Sequence, residues 1–301
     1  MEAIIDFLDA AVLDSLYDSA RQSLRTSLDS SREKPILRLA KQVCHRTTEV
    51  PWTRHAPLRQ ALTIFLLIWS VPVFHHNVDL ALTTTISIVT HLFYFLFGTI
   101  CYYQNFDRSL KKSAKFQRSQ IRREISDSLL ALVCGSFLTA PILVAQLQGH
   151  SRIYRFGSAS LWYELAQYPL FVLFSDTCIY WLHRVFHAPV LFRLMHSKHH
   201  RYVIPTPFSA YAFHPLEAWI MSLPVYSFGF IWPMSDVAQL VVFCCSNIWT
   251  FLLHDNRDQF HTVHHKNINY NYGQFLHLWD YLGGTYRDAE TFLNPVGGYR
   301  A

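Results

Sequence analysis

Ten of the seventeen histidines in this 301-residue chain fall between His183 and His265, and their spacing has chemical content. His183 and His187 stand in HRVFH, His196, His199 and His200 in HSKHH, and His261, His264 and His265 in HTVHH. His214 in FHP and His254 in LHD complete the set. Residues three or four apart share one face of an α-helix, with Cβ atoms roughly 5–6 Å apart, so each cluster is expected to present two or three imidazoles to one point. Imidazole ligates iron, zinc, copper and nickel alike, so ligand type alone does not choose the metal. Ten ligands exceed what one ion takes, and two ions with some positions open is the economical expectation. A lone histidine at the end of an apolar stretch is usually packed or solvated, which is the reading for His45, His55, His75, His76, His91 and His150. His277, in LHLWD, is left unassigned. Neither HExxH nor an ExxH pair occurs, which argues against a zinc protease and a ferritin-like di-iron bundle.

The elements that must position these side chains are apolar. With 51% hydrophobic and 16% charged residues, the chain is too apolar for an average soluble domain and too polar to lie in a membrane throughout. Four stretches, near 60–75 (the shortest), 78–103, 127–147 and 161–182, approach or meet the roughly 20 residues that cross a bilayer. Between the second and third lies a loop with Arg108, Lys111, Lys112, Lys115, Arg118, Arg122 and Arg123, which the positive-inside rule places in the cytosol. Two further spans return the chain to that side before His183. A second apolar stretch, 216–253, is broken at Trp232-Pro233-Met234-Ser235-Asp236 and reads as a hairpin that crosses or dips into the membrane. The expected fold is therefore an all-α integral membrane helical bundle of about four spans plus a hairpin, with a cytosolic histidine-rich di-metal cap. Residues 1–59 are expected to form a cytosolic N-terminal segment and 60–301 a membrane-embedded catalytic domain.

In the N-terminal segment Ile5, Leu8, Val12 and Leu16 recur at helical steps, a pattern for an amphipathic helix that docks on protein or lies in the membrane interface. Glu2 and Asp6 stand where a secretory signal would carry Lys or Arg, so a cleaved signal is not expected. The six scattered cysteines have no framework spacing and read as small apolar residues in a reducing compartment. A net charge of +5 without a phosphate loop or a basic, aromatic module makes nucleic acid an unlikely partner.

The run YWLHRVFHAPVLFRLMHSKHHRYVIPTPFSAYAFHP, Tyr180 to Pro215, resembles the sterol C5-desaturase (lathosterol oxidase) branch of the fatty acid hydroxylase and sterol desaturase superfamily. FDRSLKKSAKFQRSQIRREI upstream and NYGQFLHLWDYLGGTYR downstream extend the likeness over roughly 95–287. What the resemblance implies is an endoplasmic reticulum membrane protein whose di-metal centre faces the cytosol. By motif position the implied ligands are His183, His187, His196, His199, His200, His214, His254, His261, His264 and His265. Two iron ions would activate O2 with electrons from NAD(P)H passed through a reductase and cytochrome b5, and zinc found in a purified sample would read as a replacement for iron. The substrate would be a sterol-like lipid undergoing C5(6) desaturation or a related oxidation. Hydroxylation or methyl oxidation of a sterol, terpenoid or fatty acyl substrate is the nearest alternative, and a non-catalytic metal-binding membrane protein the alternative of another class.

Asp176, Asp255 and Asp280 are candidates to orient imidazoles through their second N–H, with helix-end or turn roles as the alternative. Thr206, Phe208, Tyr211, Trp219 and Trp249 are candidates to line a substrate channel, an interfacial aromatic belt being the alternative for the tryptophans. No flavin, nicotinamide or HPGG haem motif is present, so electrons are expected from a separate protein; the basic segments 33–59 and 104–123 would attract an acidic carrier, plain positive-inside flanks being the alternative. Two departures from the branch's pattern stand near the implied centre. Ala210-Tyr211 replaces a Ser-His pair, and only six residues separate His254 from His261. Both predict altered substrate selectivity.

Overall fold

The computed structural model describes residues 77–255, 259–289 and 292, all within one compact unit. The amphipathic pattern of Ile5 to Leu16, the basic segment 33–59, the 60–75 stretch, Cys44, His45, His55, His75 and His76 lie outside the described residues.

Five long helices carry the fold: α1 (Asn77–Gln104), α2 (Gln120–Leu147), α3 (Leu161–Phe186), α4 (Pro215–Ile231) and α5 (Asp236–Leu253). Two short ones follow, α6 (Gln259–Lys266) and α7 (Leu278–Leu282). The starts are encoded locally. Ser160 accepts from the Tyr163 amide at the head of α3, Ser235 accepts from the Ala238 amide at the head of α5, and Pro215 opens α4 where its missing N–H costs nothing. The four residues Trp232 to Ser235 between α4 and α5 coincide with the break read in the sequence.

The helical expectation needs one addition. In the connection between α2 and α3, β1 (Ile153–Tyr154) pairs in parallel with β2 (Met234–Ser235) at the α4–α5 turn, joining Ile153 to Met234 and Tyr154 to Ser235. The Asp236 carboxylate accepts from the Phe156 amide at 3.0 Å beside it. The tip of the second hairpin therefore stands level with the tip of the first. At 1.5 Å per residue the 18 residues of α5 rise about 27 Å, close to the roughly 30 Å of a hydrocarbon core.

Three described segments are long and apolar enough to cross a membrane: Leu82–Gln104 within α1, α2 and α5. α3 is 26 residues long yet falls outside this set, since Gln167, Ser175 and Asp176 lower its apolarity. On α1, Ile88, Leu92 and Leu96 repeat every four residues and are 55%, 66% and 57% exposed, a stripe suited to lipid rather than water. The opposite face buries Tyr94 and Cys101 against Phe208 and Phe251.

Polar contacts tie the irregular segment 201–214 to α1 and α2. Gln120 donates to the Ile204 carbonyl at 2.8 Å, and Glu124 accepts from both the amide and the hydroxyl of Thr206. Tyr94 and Ser128 both donate to the Phe208 carbonyl, at 2.8 and 2.9 Å. The basic loop between α1 and α2 joins the same end through Gln117, which donates to the Arg201 carbonyl at 2.7 Å. The bundle thus has two distinct ends, one closed by the β1–β2 bridge and the other by the basic loop and the histidine segments.

Candidate metal centre

Nine of the ten histidines implied as ligands converge at this second end, in two groups. His183, His187, His196, His200 and His264 form one, and His199, His254, His261 and His265 the other, each with its ring nitrogens within 4.8 Å of one another. The expectation that each cluster serves one point is corrected. HSKHH gives His196 and His200 to the first group and His199 to the second, whereas HTVHH gives His261 and His265 to the second and His264 to the first. On a helix, positions i and i+4 are offset by only about 40° while i+3 lies roughly 60° the other way, so a shared i, i+4 pair with a divergent i+3 is what the geometry favours. α3 adds His183 and His187, its last turn and cap, and the end of α5 adds His254.

Several Nδ1 atoms are fixed as donors. His183 donates to the Tyr272 carbonyl at 3.0 Å, His254 to the Thr250 carbonyl at 2.7 Å, and His264 to the Tyr270 carbonyl at 2.6 Å. His196 donates from Nδ1 to the Glu217 carboxylate. Each of these rings therefore offers a bare Nε2 lone pair inward. The Nε2 of His200 lies 3.0 Å from that of His196 and 3.1 Å from that of His264, and the Nε2 of His254 lies 3.3 Å from that of His199. His200 can place a proton on only one of its two contacts, so the other sets lone pair against lone pair. A shared cation removes that repulsion, and at metal–nitrogen distances of about 2.0–2.1 Å neighbouring ligand nitrogens stand about 3.0–3.4 Å apart. Both ring nitrogens of His187 are also buried without a hydrogen-bond partner. Burial, reinforced by neighbouring imidazoles, holds His196, His199, His200, His261, His264 and His265 well below their ordinary pKa, in the neutral form a metal requires. The residues present fit a pair of metal ions.

His214 falls outside both groups. It stands at the N-cap of α4, where its Nδ1 accepts from the Leu216 amide at 3.3 Å. Replacing it by alanine is expected to cost about 1 kcal/mol of stability and to leave the metal content of the purified protein unchanged. Thermal unfolding and elemental analysis check this, and loss of an ion would return His214 to the ligands. His277 stacks on Phe260 at 4.1 Å, and His91 and His150 also lie outside the groups.

Asp176 and Asp280 act one step further out than expected. Asp176 accepts from the amides of Gln274, Phe275 and Leu276 at 3.1, 2.7 and 3.1 Å. Asp280 accepts from the amides of Tyr272 and Gly273 at 2.9 and 2.8 Å and from the Thr285 hydroxyl at 2.7 Å. Both hold the 271–276 loop, whose Tyr272 carbonyl in turn orients His183. The WDxxGGT sequence serves the same loop. A Cβ on Gly283 would meet the Tyr180 hydroxyl at 2.0 Å, and Gly284 adopts φ +67°. Asp255 is buried next to His254. Glu217 was not singled out in the sequence, where its only signal is an acid one turn into an otherwise apolar helix.

A cavity of about 140 Å³ adjoins the centre. His183, His199, His254 and His261, drawn from both groups, form one wall, and α3, α4 and α5 supply Ile179, Met221, Val225 and Phe243 among the others. Of the five residues expected to line a channel, Tyr211 does so, its hydroxyl donating to Asn247. Thr206 and Phe208 instead anchor segment 201–214. Trp219 is buried away from the cavity, and Trp249 donates to the Gln274 carbonyl at 2.6 Å.

Residues 168–285 match the family model described as fatty acid hydroxylase. The chain is 36% identical over 254 residues to a Delta(7)-sterol 5(6)-desaturase of Aspergillus fumigatus, covering 80% of this chain and 67% of the relative. A second Delta(7)-sterol 5(6)-desaturase of that fungus is 34% identical over 307 residues, 95% of this chain and 86% of the relative. Human lathosterol oxidase is 33% identical over 244 residues, 73% and 78% of the two chains. No solved structure matches the chain.

Proposed function

Because the chain belongs to the fatty acid hydroxylase family, among relatives named sterol 5(6)-desaturases and lathosterol oxidase, we propose that it is a membrane-bound oxidoreductase that uses O2 and two iron ions to oxidise a sterol or sterol-like lipid. The observation that carries this reading is the cavity walled on one side by imidazoles of both groups and on the others by apolar helices. Bound iron would supply the oxidising power to break an unactivated C–H bond, which no side chain supplies. The ten ligands implied by motif reduce to nine in this proposal, with His214 left at its cap.

The protein's own contribution is placement and exclusion of water. Apolar side chains of α3, α4 and α5 receive the hydrophobic substrate, and the buried neutral imidazoles would hold the two ions at the wall that faces it. Removing two hydrogens to form a double bond, with O2 reduced to two waters, needs two electrons from outside. We assign these to NAD(P)H through a reductase and cytochrome b5, since the chain carries no flavin, nicotinamide or haem motif. The loop with Lys111, Lys112 and Lys115 lies at the same end as the histidines, where an acidic carrier would be steered. The same basic loop supports a four-span topology with this end in the cytosol and the β1–β2 end across an endoplasmic reticulum membrane. Tyr211, one of the two departures from the branch's pattern, lines the cavity, which supports altered selectivity within the same chemistry.

Expression in a yeast strain lacking its own sterol C5-desaturase, followed by mass spectrometry of sterols, tests the proposal. An oxidised sterol is expected, with weaker restoration of the ordinary 5(6)-desaturated product than the host enzyme gives at equal protein level. Absence of any oxidised sterol would refute the sterol reading, and full restoration would refute the altered selectivity.

A further inference from the structure

Several hydroxyls in the long helices of this bundle turn back on their own backbone, while Ser128 reaches the Phe208 carbonyl. Thr90 donates to the Ile86 carbonyl at 2.8 Å, Ser136 to Leu132 at 2.8 Å, Thr177 to Leu173 at 2.6 Å, Ser222 to Trp219 at 2.7 Å and Thr250 to Ser246 at 2.9 Å. This is the ordinary way to satisfy a hydroxyl where no water is available. Ser175 of α3 departs from it. Its side chain is fully buried, its Oγ has no hydrogen-bond partner, and it lies on the wall of the cavity beside the centre. Two other polar groups of that wall are committed. Asn247 donates to the Phe243 carbonyl at 2.7 Å and accepts from Tyr211, and Gln274 donates to Thr250 at 3.4 Å.

A buried hydroxyl left unpaired costs its full desolvation, so its retention in a cavity wall points to a ligand that pairs with it. We propose that Ser175 is a specificity-determining residue whose hydroxyl hydrogen-bonds the ring hydroxyl of the sterol in this cavity. This rests on the sterol reading above and adds an orientation to it. Ser175 precedes His183 by eight residues on one helix, a rise of about 12 Å, and both line the cavity. A sterol carries its hydroxyl on the ring fused to the one that holds the 5(6) bond. Anchoring that hydroxyl at Ser175 fixes how far the adjoining ring reaches toward the imidazole wall, which selects the carbons presented there. A chain without such a hydroxyl could enter the same apolar space with no fixed register.

The test compares wild type and Ser175→Ala in membranes supplied with cytochrome b5 and its reductase, on a 3-hydroxysterol and its 3-deoxy counterpart. The ratio of kcat/KM for the hydroxylated over the deoxy substrate is expected to fall about tenfold in the variant, the scale of one lost hydrogen bond. Ser175→Thr, which keeps the hydroxyl, is expected to restore most of the ratio. Without substrate, Ser175→Ala is expected to melt no lower than wild type, because an unpaired buried hydroxyl has been removed. An unchanged ratio, or an equal loss on both substrates, would overturn the anchor while leaving the sterol reading intact. If wild type oxidises neither sterol, the sterol reading fails and the anchor with it.

Discussion

Replacing His264 or His265 by alanine is expected to lower turnover more than about 100-fold in each case, with different consequences for the metal content. The two residues adjoin in sequence but serve different groups. Losing His264 leaves His183, His187, His196 and His200 around the first position, four imidazoles that still make a full set for a tetrahedral ion. Losing His265 leaves only His199, His254 and His261 around the second. After dialysis against a weak chelator, His264→Ala should hold close to two ions per chain and His265→Ala close to one. Elemental analysis beside an activity assay reads both effects. Wild-type turnover in either variant would refute the grouping, and equal metal loss would refute the inequality of the two positions.

What could be read from the sequence follows from what is local. The apolar stretches, the break at Trp232 to Ser235 and the three histidine clusters depend on near neighbours, and helix periodicity turns them into faces without any knowledge of the fold. The observed helices outrun the apolar stretches in two informative places. α2 begins at Gln120, ahead of the stretch beginning near 127, because Gln120 and Glu124 are satisfied by segment 201–214 rather than by solvent. α3 continues to Phe186 and so carries His183 on its last turn.

What could not be read is what depends on contacts far along the chain. The opposite use of the two HxxHH motifs requires knowing that α6 faces the 196–200 segment. Asp176 and Asp280 stand near the ligand segments in the sequence, yet their partners are amides of a loop that crosses from α6 to α7. Thr206 and Phe208 have the composition of channel residues, and only the fold shows that α1 and α2 claim them. The β1–β2 bridge joins residues about eighty positions apart and involves two residues on each side, too short for any periodic signal.

Glu217, whose role likewise depends on a contact 21 positions along the chain, is expected to govern metal affinity. It is fully buried in the first turn of α4, one oxygen accepts from His196 Nδ1, and the other has no hydrogen-bond partner. A buried carboxylate held only by the His196 ring and the His214 backbone amide is a poor arrangement for an isolated protein. It becomes favourable beside two cations, because its charge strengthens the His196 nitrogen as a ligand and fixes the ring's tautomer. The second group has no such partner on His254, whose Nδ1 donates to the Thr250 carbonyl instead. Glu217→Ala should therefore weaken metal binding about 10- to 100-fold, with the deficit at the five-histidine position. Glu217→Gln, which keeps an acceptor but loses the charge, should fall between the variant and wild type. Chelator competition measures the affinity, and thermal unfolding with and without chelator separates this role from simple packing. If Glu217 acts through the metal, Glu217→Ala should lower the melting temperature of the metal-loaded protein while leaving the chelated protein as stable as its parent. Equal losses in both states, or unchanged metal affinity, would reduce Glu217 to a packing residue of α4.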